Sequence, residues 1–486
     1  MKQLLILPTA GLLAIPAMTA EAKDAAKATS RPNIIYILAD DLGYGDLGCL
    51  GQCKIRTPNI DRMANEGMLF LQHYAGCAVS APSRSVLLTG MHTGHTPIRG
   101  NKAIVKKNCR GQQPLPPNTY TIADMFHEAG YTTGIFGKWG LGYPGSDGTP
   151  PKQGFDEFFG YYCQALAHRY YPDHLWHNDD RIDLAENADY ARQTFSADLI
   201  HKKALEFIET NTTRPFFLFL SYTLPHAELT VPEDEIITSY RGAFPEKPFV
   251  PGARNEYGPG MLPGGYASQT EPLATYAAMV TRLDKYVGEV MRLLHESGMD
   301  RNTIVIFSSD NGPHNEGGAS PHFFNSAGPF RGIKRDLYEG GIRVPLIVYG
   351  PGIVPGVKSN HVCAFWDIMP TFADMIGITL PAEVHSDGIS FYPALTEQGK
   401  QAEHAYLYWE FHEHNGAIAV RQGDWKAIRH NACSEKARTE LYNLATDHGE
   451  KKDSAAAYPD KVAELERLMQ TARTESEIFP FHAVWQ

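Results

Sequence analysis

The chain has 486 residues, 43% of them hydrophobic and 20% charged, with a formal net charge of −11. That length supports two or three structural units and a sizeable core. A bulk-acidic surface is not built to coat nucleic acid or an anionic membrane, so an anionic substrate would need a local cationic pocket.

The first residues read as a secretory signal over residues 1–22: Lys2 supplies the positive end, Leu4 to Met18 an apolar run broken by Pro8 and Pro16, and Ala20-Glu21-Ala22 a small-x-small cleavage site. The run is too short to span a bilayer comfortably. No cysteine follows it, so lipid anchoring there is not expected, and the mature chain should be soluble, periplasmic or secreted. The seven cysteines, an odd number, show no CxxC pair and no Cys/His zinc spacing; a Cys49–Cys53 bridge is compatible with the spacing but not demanded.

From Asn33 the texture is strand, loop, helix, repeated. Asn33–Leu38 (NIIYIL) predicts a buried strand. Thr57-Pro58 opens a helix with Thr57 as cap, and Gly67 closes it. Tyr120–Ala129 reads as a helix ended by Gly130, followed by strands at Thr132–Phe136 and Pro215–Leu220. Leu273–Leu294 is a long amphipathic helix with Tyr276, Met279, Val280, Leu283, Val287, Val290 and Leu294 on one face. Strands follow at Thr303–Phe307 and Val344–Tyr349. This alternation predicts an α/β fold, a mainly parallel sheet sandwiched by helices. Near residue 395 the pattern changes to short strands at Tyr406–Phe411, Ala417–Arg421 and Trp425–Ile428, then a helix at Val462–Thr471. We read residues 23–394 as a catalytic domain and 395–486 as a small α+β subdomain with an antiparallel sheet.

Ligands of open α/β sheets bind beyond the carboxyl ends of the strands. Asp40-Asp41 follows the first strand, Lys138 the Thr132–Phe136 strand, His226 the Pro215–Leu220 strand and Asp310-Asn311 the Thr303–Phe307 strand. Three carboxylates and an amide on one rim are hard oxygen ligands, suited to Ca2+ or Mg2+ rather than zinc. Either pair alone is as good a turn as a ligand set; both at strand ends favour the metal. Ser80-Ala81-Pro82-Ser83-Arg84 would place Ser80 at a helix N-terminus, where unpaired N–H groups favour an anion. Local physics alone favours an ordinary N-cap serine there.

Ser80-x-Pro82-Ser83-Arg84 ending in Leu88-Thr89-Gly90 resembles the activation motif of the formylglycine-dependent sulfatases, of the alkaline-phosphatase-like superfamily. The resemblance spans nearly the whole mature chain. Asp40-Asp41 and Asp310-Asn311 resemble the family's metal pairs, Lys138 in GKWGLG its lysine motif, Pro225-His226 its active-site histidine and Lys334 its second sulfate-binding lysine. Gly423-Asp424-Trp425-Lys426 and Leu441-Tyr442-Asn443-Leu444 resemble its small C-terminal domain. The resemblance implies an alkaline-phosphatase-like fold and hydrolysis of sulfate monoesters on glycans by a formylglycine made from Ser80. Ca2+, with Mg2+ second, would be held by Asp40, Asp41, Asp310, Asn311 and residue 80. Arg84 and Lys138 would stabilise the nucleophile, Lys334 the sulfate charge, and His226 would protonate the leaving oxygen.

The serine form implies maturation by an anaerobic radical enzyme in an anaerobic bacterium. One departure stands out: the family usually has His at the position of Gly140, with a role in expelling sulfate; His92, His95 and His314 are the substitutes near motifs. His168, Arg169 and His314 are candidate substrate contacts, and Glu410 and His412 lie in the second unit's approach to the pocket. Two rivals remain at this level: a phosphatase or phosphodiesterase with unmodified Ser80, and an inactive glycan-binding homologue.

Overall fold

The computed structural model of the chain describes residues 31–106, 109–251 and 266–485. The expected signal segment, residues 1–22, lies outside them. The first strand, β1 (Asn33–Ala39), is buried along its whole length. Its alternating side chains serve two cores: Ile34, Tyr36 and Leu38 join one hydrophobic cluster and Ile35, Ile37 and Ala39 the other. A strand with apolar residues on both faces is the signature of a sheet covered on both sides.

Around it, in chain order, come β2 (Met68–Tyr74), the β3 (Ala103–Lys106) and β4 (Cys109–Gln112) hairpin, β5 (Thr132–Lys138), β6 (Glu157–Tyr161), β7 (His174–His177), β8 (Asp180–Asp183), β9 (Phe216–Ser221), β10 (Thr303–Ser309), β11 (Arg343–Tyr349) and β12 (Val357–Ala364). All but the hairpin form one ten-stranded sheet in the order β12-β2-β11-β10-β1-β9-β5-β6-β7-β8. The centre, β10-β1-β9-β5-β6, is parallel. The predicted strand at Val344–Tyr349 is β11, and it runs antiparallel to both β10 and β2. Sequence periodicity shows burial, not direction, so this reversal was invisible to it.

Helices cover both faces. On one side α2 (Ser80–Thr89), α3 (Ile122–Glu128) and α7 (Ile368–Ile376) contribute Leu87, Leu88, Ile122, Phe126 and Phe372. On the other, α1 (Pro58–Glu66), α5 (Ser196–Thr210) and α6 (Pro272–Glu296) contribute Ile60, Met63, Ile200, Ala204 and the predicted stripe of α6. A four-residue helix, α4 (Gln164–Ala167), follows β6. Two caps differ from expectation. Thr57 makes no cap bond; its hydroxyl accepts from Gly48 N and donates to Asp61 instead. α3 starts later than predicted because Thr121, accepting from Asp124 N, is its cap.

Strands β13 (Leu407–Phe411), β14 (Ala417–Gln422), β15 (Trp425–His430) and β16 (Arg438–Asn443) form a separate antiparallel four-stranded sheet. One face of it (Tyr408, Ile418, Val420, Leu441) packs on Leu465 and Met469 of α8 (Pro459–Thr471); the other (Trp409, Phe411, Ala419, Ile428) joins the main core. Six described cysteines, Cys49 and Cys53 included, are free thiols. Among the described residues no helix is long and apolar enough to cross a membrane.

Candidate active site

Four parallel strands deliver their C-terminal ends to one rim. In an extended strand successive side chains point to opposite faces. At the end of β1 the chain breaks this rule: Asp41 has φ 63°, in the left-handed region. The break brings carboxylate oxygens of both Asp40 and Asp41 within 4.8 Å of a ring nitrogen of His226 and of each other. The left-handed region is uncommon for a non-glycine residue, though aspartate is among those that tolerate it. β10 contributes the partners: Asp41 N donates to Asp310 Oδ1 at 3.0 Å, and Asn311 Nδ2 donates to Asp41 Oδ1 at 2.6 Å.

Ser80 is the first residue of α2 and Val79 is the N-cap, so the serine hydroxyl is not spent as a cap. It donates instead to Asp40 Oδ1 at 3.1 Å. Ser83, one turn on, ties the helix start to the metal-pair loop by donating to Asp310 O at 2.5 Å while accepting from Gly76 N at 3.0 Å. Arg84 spends its guanidinium on the same loop and on the neighbouring strand ends. Its Nε is 3.1 Å and one terminal nitrogen 3.0 Å from Asp310 Oδ2, and the other donates to Lys138 O at 3.1 Å and to Ser221 Oγ.

Each buried carboxylate has its own base. Lys138 Nζ lies 2.7 Å from Asp40 Oδ2, Lys334 Nζ 2.7 Å from Asp41 Oδ2, and Arg84 grips Asp310. Burial would raise the Asp41 carboxyl, but Lys334 and His226 hold it below the usual carboxylate range. Burial would likewise strip the proton from Lys334, but Asp41 and Glu316 hold its pKa above the ordinary lysine value.

His226 Nδ1 lies 2.5 Å from Ala227 O. A carbonyl only accepts, so Nδ1 carries the proton and Nε2 offers its lone pair to Lys334 Nζ at 2.9 Å. Burial first, and Lys334 next, pull this imidazole down to about 3, so it is neutral at pH 7. The proton between the two side chains therefore sits on Lys334, with His226 as its acceptor.

The remaining candidates divide. His168 stacks on His226 at 4.6 Å and 14°, with its Nδ1 buried and without a hydrogen-bond partner among the described residues. His314 also faces His226, at 5.6 Å, but Glu316 N donates to its Nδ1 and its Nε2 donates to Pro225 O. Both nitrogens of His314 are thus engaged within the protein, Nε2 with Pro225 O and Nδ1 with Glu316 N. Arg169 is buried, 3.8 Å from Glu228. His92 and His95 stack on each other and pair with Asp387. Glu410 is held at about 2, burial being opposed by His412, Arg473 and Arg99 in a buried network under the small sheet.

Two site residues escaped sequence reasoning. Glu316 lies 3.3 Å from Lys334 and 2.8 Å from Arg335; only its closeness to the Asp310 motif hinted at it. Ser221 links Arg84 to Lys138 O, and as the last residue of β9 it was reachable by the strand-end rule.

The arrangement offers a hydroxyl beside a cluster of hard oxygens. Asp40, Asp41 and Asp310 supply carboxylates, and Asn311 Oδ1 is buried with no partner among the described residues while its amide nitrogen is committed to Asp41. An orphaned carbonyl-type oxygen amid three carboxylates is the donor set a hard divalent cation takes.

The sulfatase family model matches residues 32–378, and the model for the C-terminal part of N-sulphoglucosamine sulphohydrolase matches residues 331–475. The chain is 31% identical over 447 residues to N-acetylgalactosamine-6-sulfatase of Mus musculus, covering 87% of this chain and 75% of that one. It is 29% identical to N-acetylgalactosamine-6-O-sulfatase of Bacteroides thetaiotaomicron, covering 93% and 95%. Among solved structures, Ps i-CgsB in complex with k-i-k-neocarrahexaose superposes with TM-score 0.74 at 27% identity, covering 94% of this chain and 96% of that one.

Proposed function

The chain belongs to the sulfatase family and is a sulfuric ester hydrolase; on that premise we propose that it removes sulfate from an O-sulfated glycan, with sugars of the N-acetylgalactosamine type favoured, through formylglycine made from Ser80 and with Ca2+ bound by Asp40, Asp41, Asp310, Asn311 and residue 80. The observation that carries the reading is the convergence of Ser80 Oγ, three carboxylates and three bases on one rim. The glycan class rests on the named activities of the relatives in mouse and Bacteroides thetaiotaomicron.

Charge supports it. Asp40, Asp41 and Asp310 are balanced one for one by Lys138, Lys334 and Arg84. A divalent cation would leave the site positive, complementary to a sulfate monoester anion and an ionised nucleophile together. The bound cation would polarise the sulfate and favour the ionised nucleophile. Oxidation of Ser80 supplies a hydrated aldehyde: one hydroxyl displaces the alcohol from sulfur and the other lets sulfate depart, an exit that a plain serine ester lacks. Arg84 orients the metal loop, and Lys138 neutralises the nucleophile side. Lys334 and His226, sharing a proton at 2.9 Å, deliver it to the leaving oxygen.

We further propose export by the segment 1–22, maturation by an anaerobic radical enzyme, and a division between catalytic and C-terminal units at residues 394/395. The test of the activity is a sulfate-release panel with protein whose residue 80 is verified by mass spectrometry. N-acetylgalactosamine 6-sulfate should be hydrolysed while its phosphate analogue is not. Turnover of the phosphate by protein with intact serine would instead establish the phosphatase alternative, and tight binding without release by oxidised protein a binding role.

A further inference from the structure

Two residues beyond Lys138 the backbone turns at Gly140, with φ +77°. The turn is pinned to the end of β6: Trp139 N donates to Tyr161 O at 2.9 Å and Gly140 N to Tyr162 O at 3.2 Å. A Cβ built on residue 140 would lie 2.9 Å from Gln164 Nε2, 3.1 Å from its Cγ and 3.4 Å from its Cδ. The space that a side chain at position 140 would enter is therefore filled by Gln164. Gln164 is only 9% exposed, yet its Nε2 has no hydrogen-bond partner among the described residues. An unpaired buried amide is unfavourable and rare in native structures, so a purely structural role explains it poorly. Assigning the orphan atom as nitrogen or oxygen does not change this, since either needs a partner.

His168 lies one turn further along, on the same side of the chain as Gln164. Its ring is stacked on His226, and its Nδ1 is the second orphaned polar atom of this wall. Gln164 thus lies against the turn two residues beyond Lys138, and His168 against His226. The other histidines that could stand in for position 140 are committed: His92 and His95 to Asp387, and His314 to Pro225 and Glu316.

We propose that Gln164 and His168 are substrate-contacting residues, the Gln164 amide donating to an oxygen of the bound sulfate in the place left open by Gly140, and His168 Nδ1 bonding a hydroxyl of the sugar beside the departing oxygen. The proposal rests on the sulfatase reading for its ligand, but its test does not need turnover. Binding of inorganic sulfate and of N-acetylgalactosamine 6-sulfate is measured calorimetrically on Ca2+-supplied protein with unoxidised Ser80, alongside thermal unfolding. Gln164→Leu should weaken both ligands by roughly tenfold or more, as expected for a lost bond to a charged group, with an unfolding temperature equal to or above the parent's. His168→Phe, which keeps the stack on His226, should weaken the sugar ester and leave inorganic sulfate unchanged. Unchanged sulfate affinity in Gln164→Leu, or a fall in unfolding temperature in step with affinity, overturns the inference, as does a parent protein that binds neither ligand. A parent that binds both but, once oxidised, releases no sulfate overturns the sulfatase reading alone.

Discussion

Lys426 is fully buried where the small sheet meets the large one, and its removal offers a quantitative test of how the two are joined. Its Nζ lies 2.9 Å from Glu339 Oε1 and 2.9 Å from Glu450 Oε1. At that distance and an effective dielectric near 20, each attraction is about 6 kcal/mol, much of it offset by dehydrating the ammonium. What Lys426→Met leaves behind decides the outcome. Glu339 keeps Arg343 at 3.0 Å and the Tyr74 hydroxyl at 2.7 Å, whereas Glu450 keeps the Glu339 N–H at 2.6 Å. The loss falls mainly on Glu450, a buried carboxylate without a counter-charge, and should be about 3–5 kcal/mol at pH 8.

The loss should also depend on pH. Burial pushes the Glu450 carboxyl up to about 7, against the pull of Lys426. A carboxyl whose folded pKa lies above its unfolded value contributes stability below the unfolded pKa, near 4.5, and that contribution is lost as pH rises through the folded value. Without Lys426 the folded value climbs further, so the variant sheds more stability than the parent between pH 5 and 8, by up to about 1.4 kcal/mol per pH unit. Urea unfolding at pH 5 and pH 8, followed by tryptophan fluorescence, measures both. Lys426→Met/Glu450→Leu should recover most of the loss, because an apolar pair replaces the charges. An equal loss at the two pH values, or one below about 1 kcal/mol, would refute the reasoning.

Four further outcomes follow from the site. Ser80→Ala should abolish sulfate release with little change in unfolding temperature, since the hydroxyl makes one side-chain bond, to Asp40; the parent peptide from a maturating host should be lighter by one H2. Lys334→Ala, which removes the proton partner of His226, should lower kcat by roughly a hundredfold and alter the pH profile, whereas a pure sulfate-binding role would raise KM alone. Arg84→Lys cannot reproduce the forked contacts to Asp310, Lys138 O and Ser221, and should lower both Ca2+ affinity and unfolding temperature. Chelation of divalent cations should destabilise the protein and stop turnover, and Ca2+ should restore both; indifference of unfolding temperature to chelator and Ca2+ would remove the cation from the account.

Much of this was legible in the chain because it is local. β1, β9 and β10 announce themselves as short apolar runs, and the rule that ligands sit beyond strand C-termini picks out Asp40, Asp41, Lys138, His226, Asp310 and Asn311 without coordinates. The stripe on α6 needs only helical period. Other features depend on partners far away in sequence. Lys334 reaches Asp41 across 293 positions, and which base neutralises which acid is set by how α2, β5 and the 331–336 loop pack over the rim. The same holds for the protonation of His226, fixed by one carbonyl and one ammonium, and for the departure of Ser80 from the expected cap role once Val79 took that position. Gln164 lies furthest from sequence reasoning: nothing in its own neighbours distinguishes it, and only its packing over Gly140 does. Period and turn chemistry act over a few residues and so can be read along the chain, whereas the pairing of buried charges and orphaned polar atoms is decided when distant segments exclude water together.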